Sequence, residues 1–515
     1  MTSIALLALA AALALALATR LRLPAPPLMM AAGIGLTLAG APLDERLVRS
    51  VLLLGATFLV FVVGTELDPE RVGAHRRAAG RVAWARIAVL TAAGVGTSRA
   101  LGLSWLETAY VTVALNASST LLVTDLLRQR QQFFEPFGRL VLGASRVQDL
   151  VVVGAVSVLA VATVDLERLA MGGTGLVALV AGAALLGRWI GPRLLARSDL
   201  DQEHQLLVAL GALFLFAGLA HYAGLPLATG AFLAGLALAR FPVRALVSGH
   251  VASFSDFFTA LFYVALGATV RPLARAELWT EAALLTAIVL FAPLVVLPLV
   301  RERGMTLRSS IEGINLMAHS GELALVVAMV GLARGHLGED VFEVIVGVVV
   351  ATSAIAPMLS ADALTWRLVH LYPAKRADAA SRPSGHLLVI GCGESTRPLI
   401  DEWTEAGEPV VVIDDDPAVV EELRAAGARV VRGDGADPAV LEAAGAAHAR
   451  VVISTMRRLT DNERLLSRAP GARVLVRVFS DDDAARVRAL GGEPVEEAAL
   501  AEAPILAWVE ATRPT

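Results

Sequence analysis

Three short groups of polar residues interrupt stretches of the chain that are otherwise apolar. Asn116–Thr120 divides VTVAL from LLVT, Gln148 and Asp149 lie within GRLVLGASRVQDLVVVG, and His319–Glu322 divides INLMA from LALVVAMV. An ionisable side chain inside a lipid bilayer is costly unless it is paired or hydrated, so such residues are functional candidates. A buried carboxylate can hold a proton or a desolvated monovalent cation but not both, and this competition is the chemistry of cation/proton exchange.

The two interrupted stretches, one in each half of the chain, indicate a transporter built from inverted repeats. Unwound backbone frees N–H and C=O groups, and the ends of the half-helices direct their dipoles toward the gap. An aspartate on a neighbouring helix then faces this gap, which makes Asp149 the predicted ligand of the monovalent cation. The candidate ion-binding residues are Asn116, Ser118, Ser119, Thr120, Gln148, Asp149, His319 and Glu322.

Each group also has a structural interpretation. Ser and Thr are common where membrane helices pack, so Asn116–Thr120 is also typical of a packing patch. Asp149 lies three residues after Arg146, which suits a structural ion pair. Glu322 is compatible with capping a broken helix, and His319 with a hydrogen-bonded packing role.

Membrane helices must position these residues. Apolar stretches about 15–25 residues long, enough to cross a hydrocarbon core of ~30 Å as helix, occur thirteen times before residue 370. The first has no basic segment before it, which favours a membrane helix over a signal peptide. The stretches lie near 3–19, 26–40, 47–65, 80–97, 104–124, 139–163, 173–196, 204–221, 226–240, 253–270, 280–300, 308–333 and 340–360.

Composition supports a chain placed in a lipid bilayer. It is 56% hydrophobic and 18% charged, against about 45–50% and about 25% in soluble domains, which argues against a purely soluble enzyme. The net charge of -4 gives no support for a nucleic-acid partner. One cysteine excludes an internal disulfide framework and a cysteine-based metal cluster.

Charge is distributed unevenly along the chain. Residues 381–515 hold 15 Arg, no Lys and 23 acidic residues, a net charge of -8, whereas 1–380 have a net charge of +4. Loops after the odd-numbered spans contain 17 arginines and the other loops contain 7. By the positive-inside rule, the N-terminus lies outside the cell membrane and the acidic tail lies in the cytoplasm.

The tail has the pattern of a dinucleotide-binding fold. HLLVI leads into Gly391, Cys392 and Gly393, and PVVVID ends at Asp414, 23 residues after Gly391. Glycines let the backbone approach a phosphate at a helix N-terminus, and the acid accepts hydrogen bonds from ribose hydroxyls. Thr396 replaces the third glycine of that pattern. Continued alternation of strands and helices predicts an α/β domain with a parallel sheet.

The membrane motifs resemble the monovalent cation:proton antiporter-2 family, especially its Kef-type branch, over residues 1–370. ALNASSTLLVTDLL, GRLVLGASRVQDLVVV and HSGELALVVA carry the resemblance, and the family's ion-carrying Asp and neighbouring Gln fall on Asp149 and Gln148. The resemblance implies a polytopic NhaA-like fold with inverted repeats and two broken crossing helices. It also implies a homodimer and elevator-type alternating access in which Asp149 carries the ion.

Two positions differ from the family pattern. His319–Glu322 reads His-Ser-Gly-Glu, whereas Kef-type members usually have Gln-Gly-Gly-Glu. Electrogenic members carry a lysine on the preceding helix, but 282–300 contain no Lys or Arg. This absence favours electroneutral exchange.

The tail resembles the TrkA-N domain, also called RCK or KTN, over residues 386–510. The resemblance implies a regulatory nucleotide, NAD(H), AMP or ATP, and no cofactor for transport itself. It assigns nucleotide contacts to Gly391, Gly393, Asp414, Asp434 and Thr455. Cys392 is compatible with a redox sensor, but a small filler beside the turn is the simpler interpretation.

The sequence therefore predicts a nucleotide-regulated monovalent cation/proton antiporter of the inner membrane, with K⁺ preferred over Na⁺. Its parts are a transmembrane domain at 1–370, a polar linker at 371–385 and a cytoplasmic domain at 386–515. The alternatives are an ion channel or other transporter gated by the tail, and a membrane-anchored NAD-dependent oxidoreductase. A K⁺ channel would need a pore loop resembling TVGYG, and an oxidoreductase would need a substrate domain; the sequence contains neither.

Overall fold

The computed structural model divides into two compact units, which are described separately. Most of the predicted linker, and residues 497–515 of the predicted cytoplasmic domain, lie outside the described residues. The described residues are 2–21, 23–67, 76–129, 132, 135–161, 166–190, 202–239, 243–270, 276–301, 305–371, 383–393 and 396–496.

The first unit contains residues 1–126, 138–299 and 313–361, and the regular structure of its described residues is all helical. Among the described residues, eight helices are long and apolar enough to cross a membrane; they lie at 2–21, 45–66, 77–100, 137–159, 170–190, 204–222, 276–300 and 339–359. Shorter apolar helices include those at 25–38, 227–238 and 322–333. The helices up to the linker are α1 Thr2–Leu21, α2 Ala25–Leu38, α3 Glu45–Glu66, α4 Arg76–Ala100, α5 Trp105–Asn116, α6 Thr120–Gln129, α7 Pro136–Leu159, α8 Leu166–Leu185 with a π-helical turn Leu186–Ile190, α9 Gln202–Tyr222, α10 Leu227–Leu238, α11 Val243–Thr269, α12 Ala276–Arg301, α13 Leu307–Leu316, α14 Glu322–Ala333, α15 Glu339–Leu359 and α16 Asp362–Leu371.

Two of the predicted spans are broken where the polar groups lie. α5 ends at Asn116 because Ala117 takes an extended conformation, and α6 begins at Thr120. α13 ends at Leu316, and α14 begins at Glu322 after the extended residue Gly321. Each break leaves backbone groups at helix ends without partners inside their own helix.

The second unit contains residues 127–137, 300–312 and 362–515. Six strands occur among its described residues: β1 Leu387–Ile390, β2 Val410–Asp414, β3 Arg429–Arg432, β4 Val451–Ser454, β5 Arg473–Val478 and β6 Glu493–Glu496. They form one parallel sheet in the order β3-β2-β1-β4-β5-β6. The change of direction between β1 and β4 is the place where doubly wound sheets bind nucleotides. The elements between the strands are α17 Arg397–Glu405, α18 Pro417–Ala425, α19 Pro438–Ala443, a 3₁₀ turn Ala446–His448, α20 Leu459–Arg468 and α21 Asp481–Ala489.

Both faces of the central strands are buried. Leu388 and Ile390 of β1 belong to one apolar cluster, and Leu387 and Val389 belong to another. Alternate side chains of a strand point to opposite faces, so the continuous apolar run LLVI is what a sheet covered on both sides requires. The predicted parallel α/β domain is confirmed.

Helices α3 and α10 pack through glycines. A Cβ atom at Gly235 would collide with the carbonyl oxygen of Phe61, and one at Gly64 would collide with that of Phe232. Small residues at such positions let membrane helices approach closely, since dispersion contacts are a main source of attraction between helices in lipid.

We expect Gly235→Ala to destabilise the membrane unit, because the added methyl group forces the two backbones apart. Overpacking of this kind costs about 1–3 kcal/mol. The measurement is the thermal unfolding midpoint of the detergent-solubilised protein, followed by size-exclusion chromatography. Gly211→Ala in α9 is the control, since a Cβ atom there has no neighbour within 4 Å; equal midpoints for the two variants would contradict the packing.

Candidate functional site

The two broken segments cross in direct backbone contact. The N–H of Gly321 donates to the carbonyl of Ala117 at 3.0 Å. The hydroxyl of Ser320 donates to the carbonyl of Ala114 at 3.1 Å. A Cβ atom at Gly321 would collide with the backbone of Ser118. The crossing therefore requires glycine, and each segment supplies partners for backbone groups that the other leaves free.

Side chains complete the crossing. The N–H of Ser119 donates to Nε2 of His319 at 3.3 Å, and the hydroxyl of Ser119 donates to Oε1 of Glu322 at 2.8 Å. The hydroxyl of Ser118 donates to that of Ser145 on α7 at 2.9 Å. His319 is fully buried. The polar groups at 116–120 and 319–322 thus lie at one place, although about 200 residues separate them.

Asp149 lies on α7 beside this crossing. Its side chain is buried, and Oδ2 accepts a hydrogen bond from the hydroxyl of Thr120 at 2.7 Å. Among the described residues, Oδ1 of Asp149 has no hydrogen-bond partner, and neither has Oδ1 of the buried Asn116. Buried oxygen atoms without donors are rare in proteins, and such atoms suit a desolvated cation.

Arg86 is a fully buried cation on α4 that our sequence interpretation missed. Its guanidinium donates to Oε1 of Gln148 at 2.7 Å, to the carbonyl of Met317 at 2.7 Å and to that of His319 at 3.1 Å. These carbonyls follow the last turn of α13, so Arg86 provides the donors that the broken helix lacks. Its position in the middle of the apolar run VAWARIAVL was the available signal.

The charges match the helix dipoles at the crossing. Thr120, which holds Asp149, is the first residue of α6, and Glu322 is the first residue of α14. Helix N-termini favour negative groups and C-termini favour positive ones. The two carboxyl groups therefore lie at positive helix ends, and Arg86 lies at the negative end of α13.

The second unit places part of the predicted nucleotide set around one cavity. Gly391, Asp414 and Asp434 line a cavity of about 140 Å³. Gly391 has a φ of 84°, a left-handed conformation that suits glycine. Gly393 and Thr455 are not in the cavity wall. Instead, the hydroxyl of Thr455 donates to the carbonyls that end β1, at 3.0 and 3.2 Å.

Thr396 substitutes for the third glycine by holding the loop. Its hydroxyl accepts from the N–H of Gly393 at 3.0 Å. The N–H of Cys392 donates to Oδ2 of Asp414 at 2.7 Å. Burial and the neighbouring carboxylate of Asp414 raise the pKa of the Cys392 thiol. A raised pKa disfavours the reactive thiolate, which supports the filler interpretation of Cys392.

Arginines and one glutamate of this cavity were also missed. Arg308, at the start of α13, lines it together with Glu135, Arg457 and Arg458. Arg308 pairs with Asp461 through two hydrogen bonds at 2.9 and 3.0 Å. Glu135, Arg308 and the Arg457–Arg458 pair are far apart in the sequence and show no common motif, so no local pattern indicated them.

The crossed half-helices and the attached parallel α/β domain define a polytopic membrane transporter with a nucleotide-binding type of domain. The chain belongs to the sodium/hydrogen exchanger family. The model described as "Sodium/hydrogen exchanger, transmembrane" matches residues 5–363, and the TrkA-N domain model matches residues 387–496.

Similar proteins agree with this assignment. The putative cation/proton antiporter YbaL of Escherichia coli K12 is 26% identical over 489 residues, covering 88% of this chain and 86% of the relative. The glutathione-regulated potassium-efflux system protein KefC of Salmonella schwarzengrund is 28% identical over 453 residues, covering 85% and 73%. The structure of the sodium proton antiporter MjNhaP1 of Methanocaldococcus jannaschii covers 72% of this chain and 99% of its own, with a TM-score of 0.54 and 16% identity.

The chain is therefore a cation/proton antiporter of the monovalent cation:proton antiporter-2 type, a multi-pass membrane protein with a TrkA-N domain. The oxidoreductase alternative is wrong, because the family consists of transporters and not enzymes. The likeness to MjNhaP1 shows the fold of the membrane part. The count of thirteen spans and the roles of individual site residues stay predictions.

Replacing Arg86 by lysine tests the support of the broken helix. Lysine keeps the charge but cannot reach three acceptors on two segments, and each buried acceptor left without a donor costs about 1–3 kcal/mol. We expect the unfolding midpoint of the detergent-solubilised protein to fall by several degrees. Arg81→Lys, at an exposed position of the same helix, is the control, and an Arg86→Lys midpoint equal to that of Arg81→Lys would contradict this role.

We expect the buried carboxyl group of Asp414 to make the stability of the TrkA-N domain depend on pH. Burial raises its pKa, against the backbone N–H groups of Cys392 and Asp416 that lower it. Because the folded state binds this proton more tightly than the unfolded state does, Asp414 contributes a loss of stability as pH rises from about 4 through the raised pKa.

Hydrogen exchange of the peptide that covers β1 and β2 measures this contribution. Between about pH 4.5 and 7, we expect wild type to lose protection relative to Asp414→Asn. A difference between wild type and variant that does not vary with pH would show that Asp414 does not titrate in this range.

Proposed function

We propose that this antiporter exchanges K⁺, in preference to Na⁺, for protons, and that Asp149 carries the cation and the proton in turn. The observation that carries the proposal is the buried carboxylate beside the crossing, with one oxygen that has no partner among the described residues. The name of the relative KefC, a potassium-efflux system protein, supports potassium as the cation.

The chemistry of the exchange follows from the partners of Asp149. The hydroxyl of Thr120 donates to one carboxylate oxygen, which leaves the other for a cation or a proton. A protonated carboxyl has lost the charge that attracts the cation, so binding of one excludes the other. The amide oxygen of Asn116, also without a donor among the described residues, is the proposed second ligand.

Arg86 is a fixed charge in this scheme. A guanidinium is not deprotonated in proteins, so Arg86 neutralises the end of α13 without taking part in proton exchange. With no Lys or Arg at 282–300, Asp149 is the group that exchanges. One cation for one proton, an electroneutral exchange, is the proposed stoichiometry.

Several larger features belong to the same proposal. The inverted-repeat pattern and the broken helices support alternating access of the elevator type, in a homodimer with thirteen spans per chain. The distribution of arginines supports an N-terminus outside the inner membrane and a TrkA-N domain in the cytoplasm. The proposed boundaries are 1–370 for the exchanger, 371–385 for the linker and 386–515 for the regulatory domain.

The TrkA-N domain is proposed to bind NAD(H), AMP or ATP and to regulate exchange. Asp414 ends β2, where the acid of a doubly wound fold accepts hydrogen bonds from the ribose. Gly391 and Asp434 line the same cavity. Thr455 and Gly393 are proposed to support the phosphate-binding loop.

Asp149→Asn tests the exchange. We expect the variant, reconstituted in vesicles loaded with a pH-sensitive dye, to show no proton flux above protein-free vesicles when K⁺, Na⁺ or Li⁺ is added, because an amide cannot alternate between charged and neutral forms. Wild type should respond to K⁺ at lower concentrations than to Na⁺.

The control is Glu339→Gln, which removes a carboxylate at the exposed start of α15 and should exchange normally. Monodisperse elution of both variants shows that they fold. Normal exchange by a correctly inserted Asp149→Asn protein would show that another group carries the ion.

A further inference from the structure

The cavity next to the sheet has basic groups in its wall besides the glycine loop. Arg308 and Arg458 both line it, beside Gly391 and Asp434. Arg458 immediately precedes α20, and Arg308 lies at the start of α13. Arg308, a residue of the half-helix that precedes the break at 317–321, therefore belongs to the wall of the predicted nucleotide site.

Glu312, one turn along α13 from Arg308, forms a buried two-point ion pair with Arg458. The distances are 2.8 Å from Nη1 of Arg458 to Oε1 of Glu312 and 2.6 Å from Nη2 to Oε2. The side chain of Glu312 is 2% exposed and that of Arg458 is 14% exposed. A two-point pair of this kind holds both partners in a defined geometry.

The side chain of Arg458 is bound by the carboxylate of Glu312 and also lines the cavity, whose wall does not include Glu312. Its guanidinium has longer contacts with Asp362 at 3.8 Å and Asp461 at 4.0 Å. A phosphate group is a stronger acceptor for a guanidinium fork than water is, and it matches the fork geometry as a carboxylate does. A phosphate that enters the cavity therefore competes with Glu312 for the same N–H groups.

Glu312 can give up Arg458 without becoming an unpaired buried charge. Nε of Arg308 donates to Oε1 at 3.1 Å, and Nε2 of Gln132 donates to Oε2 at 2.9 Å. Removal of the only partner of a buried ion is strongly unfavourable. With these two partners retained, Glu312 stays hydrogen-bonded and paired with Arg308 when Arg458 moves from its carboxylate to a phosphate.

A divalent cation is a poor candidate for this cavity despite its acidic residues. Asp434 and Asp461 are both engaged by Arg308, at 3.3 Å and 2.9 Å. No group of three His, Cys, Asp or Glu side chains among the described residues is arranged to hold a metal. A ligand with a phosphate and hydrogen-bonding hydroxyls fits the arginines and carboxylates together.

We infer that Glu312 and Arg458 form a ligand-controlled ion pair: the phosphate of a bound nucleotide takes Arg458 from Glu312, and nucleotide binding thereby releases one of the contacts that hold α13. The inference rests on the proposed function and names how its regulatory site acts. α13 leads directly into the unwound residues 317–321, whose carbonyls Arg86 holds. A looser α13 therefore alters the helix on which the crossing depends.

The test is isothermal titration calorimetry of the full chain in nanodiscs with AMP and NAD, and with adenosine as the phosphate-free probe. Glu312→Gln should bind AMP or NAD about tenfold more tightly, because the competing carboxylate is gone, and Arg458→Gln should bind about tenfold more weakly. Binding of adenosine should change less than about twofold in both variants.

Glu135→Gln is the matched control, since Glu135 lines the same cavity and its replacement removes the same charge but leaves the pair intact. We expect it to change the affinity for AMP or NAD less than about threefold. Equal effects of Glu135→Gln and Glu312→Gln, or equal effects on adenosine and AMP, would overturn the inference and leave the proposed antiport untouched.

Transport supplies the second measurement. In vesicles without nucleotide, Glu312→Gln should exchange at the rate that wild type shows with a saturating concentration of the bound nucleotide. If the nucleotide binds wild type but the Glu312→Gln rate stays at the nucleotide-free wild-type value, the coupling is wrong. If wild type exchanges K⁺ but binds none of AMP, ATP, NAD and NADH in the same titration, both the inference and the proposed nucleotide regulation fail, while the antiport stands.

Discussion

The structure of the membrane unit depends on one requirement. Backbone N–H and C=O groups at the two helix breaks must find hydrogen-bond partners inside the membrane. Each break, at 117–119 and at 317–321, leaves N–H and C=O groups that water cannot reach inside a bilayer. The two breaks supply each other with partners through Gly321 and Ala117. The contact demands that one residue have no side chain, so glycine at 321 follows from the geometry of the crossing.

The same requirement explains the buried charges. Arg86 provides donors to carbonyls beyond the end of α13, and Glu322 lies at the positive end of α14. These two charges compensate the broken helices and are engaged by hydrogen bonds. Asp149 differs from Glu322, because one of its carboxylate oxygens has no hydrogen-bond partner among the described residues. The surrounding charges are balanced by the helix ends, whereas the carboxylate of Asp149 keeps one oxygen available. This arrangement suits reversible binding of an ion.

Sequence patterns predicted the parts whose signal is local. An apolar stretch interrupted by small polar residues marks a break, and the run HLLVI followed by glycines marks the first strand and turn of the parallel sheet. Local patterns do not identify partners across the chain. The position of Arg86 inside an apolar run marks it as unusual, but only the structure shows that its partners are Gln148 and Met317.

The wall of the nucleotide cavity also contains residues that local sequence patterns do not bring together. Gly391 and Asp414 follow from a motif, whereas Arg308 and Glu312 come from a helix that our sequence interpretation assigned wholly to the membrane part. Pairing of Glu312 with Arg458 joins residues 146 positions apart. Such pairs are fixed by tertiary packing and by the need to neutralise buried charge, so neither residue carries a signal alone.

The central claim is that a cation and a proton compete for one buried carboxylate. It is tested most directly by adding K⁺ to the purified wild-type protein in a weakly buffered detergent solution, with proton release and K⁺ binding measured on the same sample. The account predicts about one proton released per K⁺ bound at a pH where the site is protonated, and less as the pH rises. Saturable K⁺ binding without proton release at any pH would contradict it.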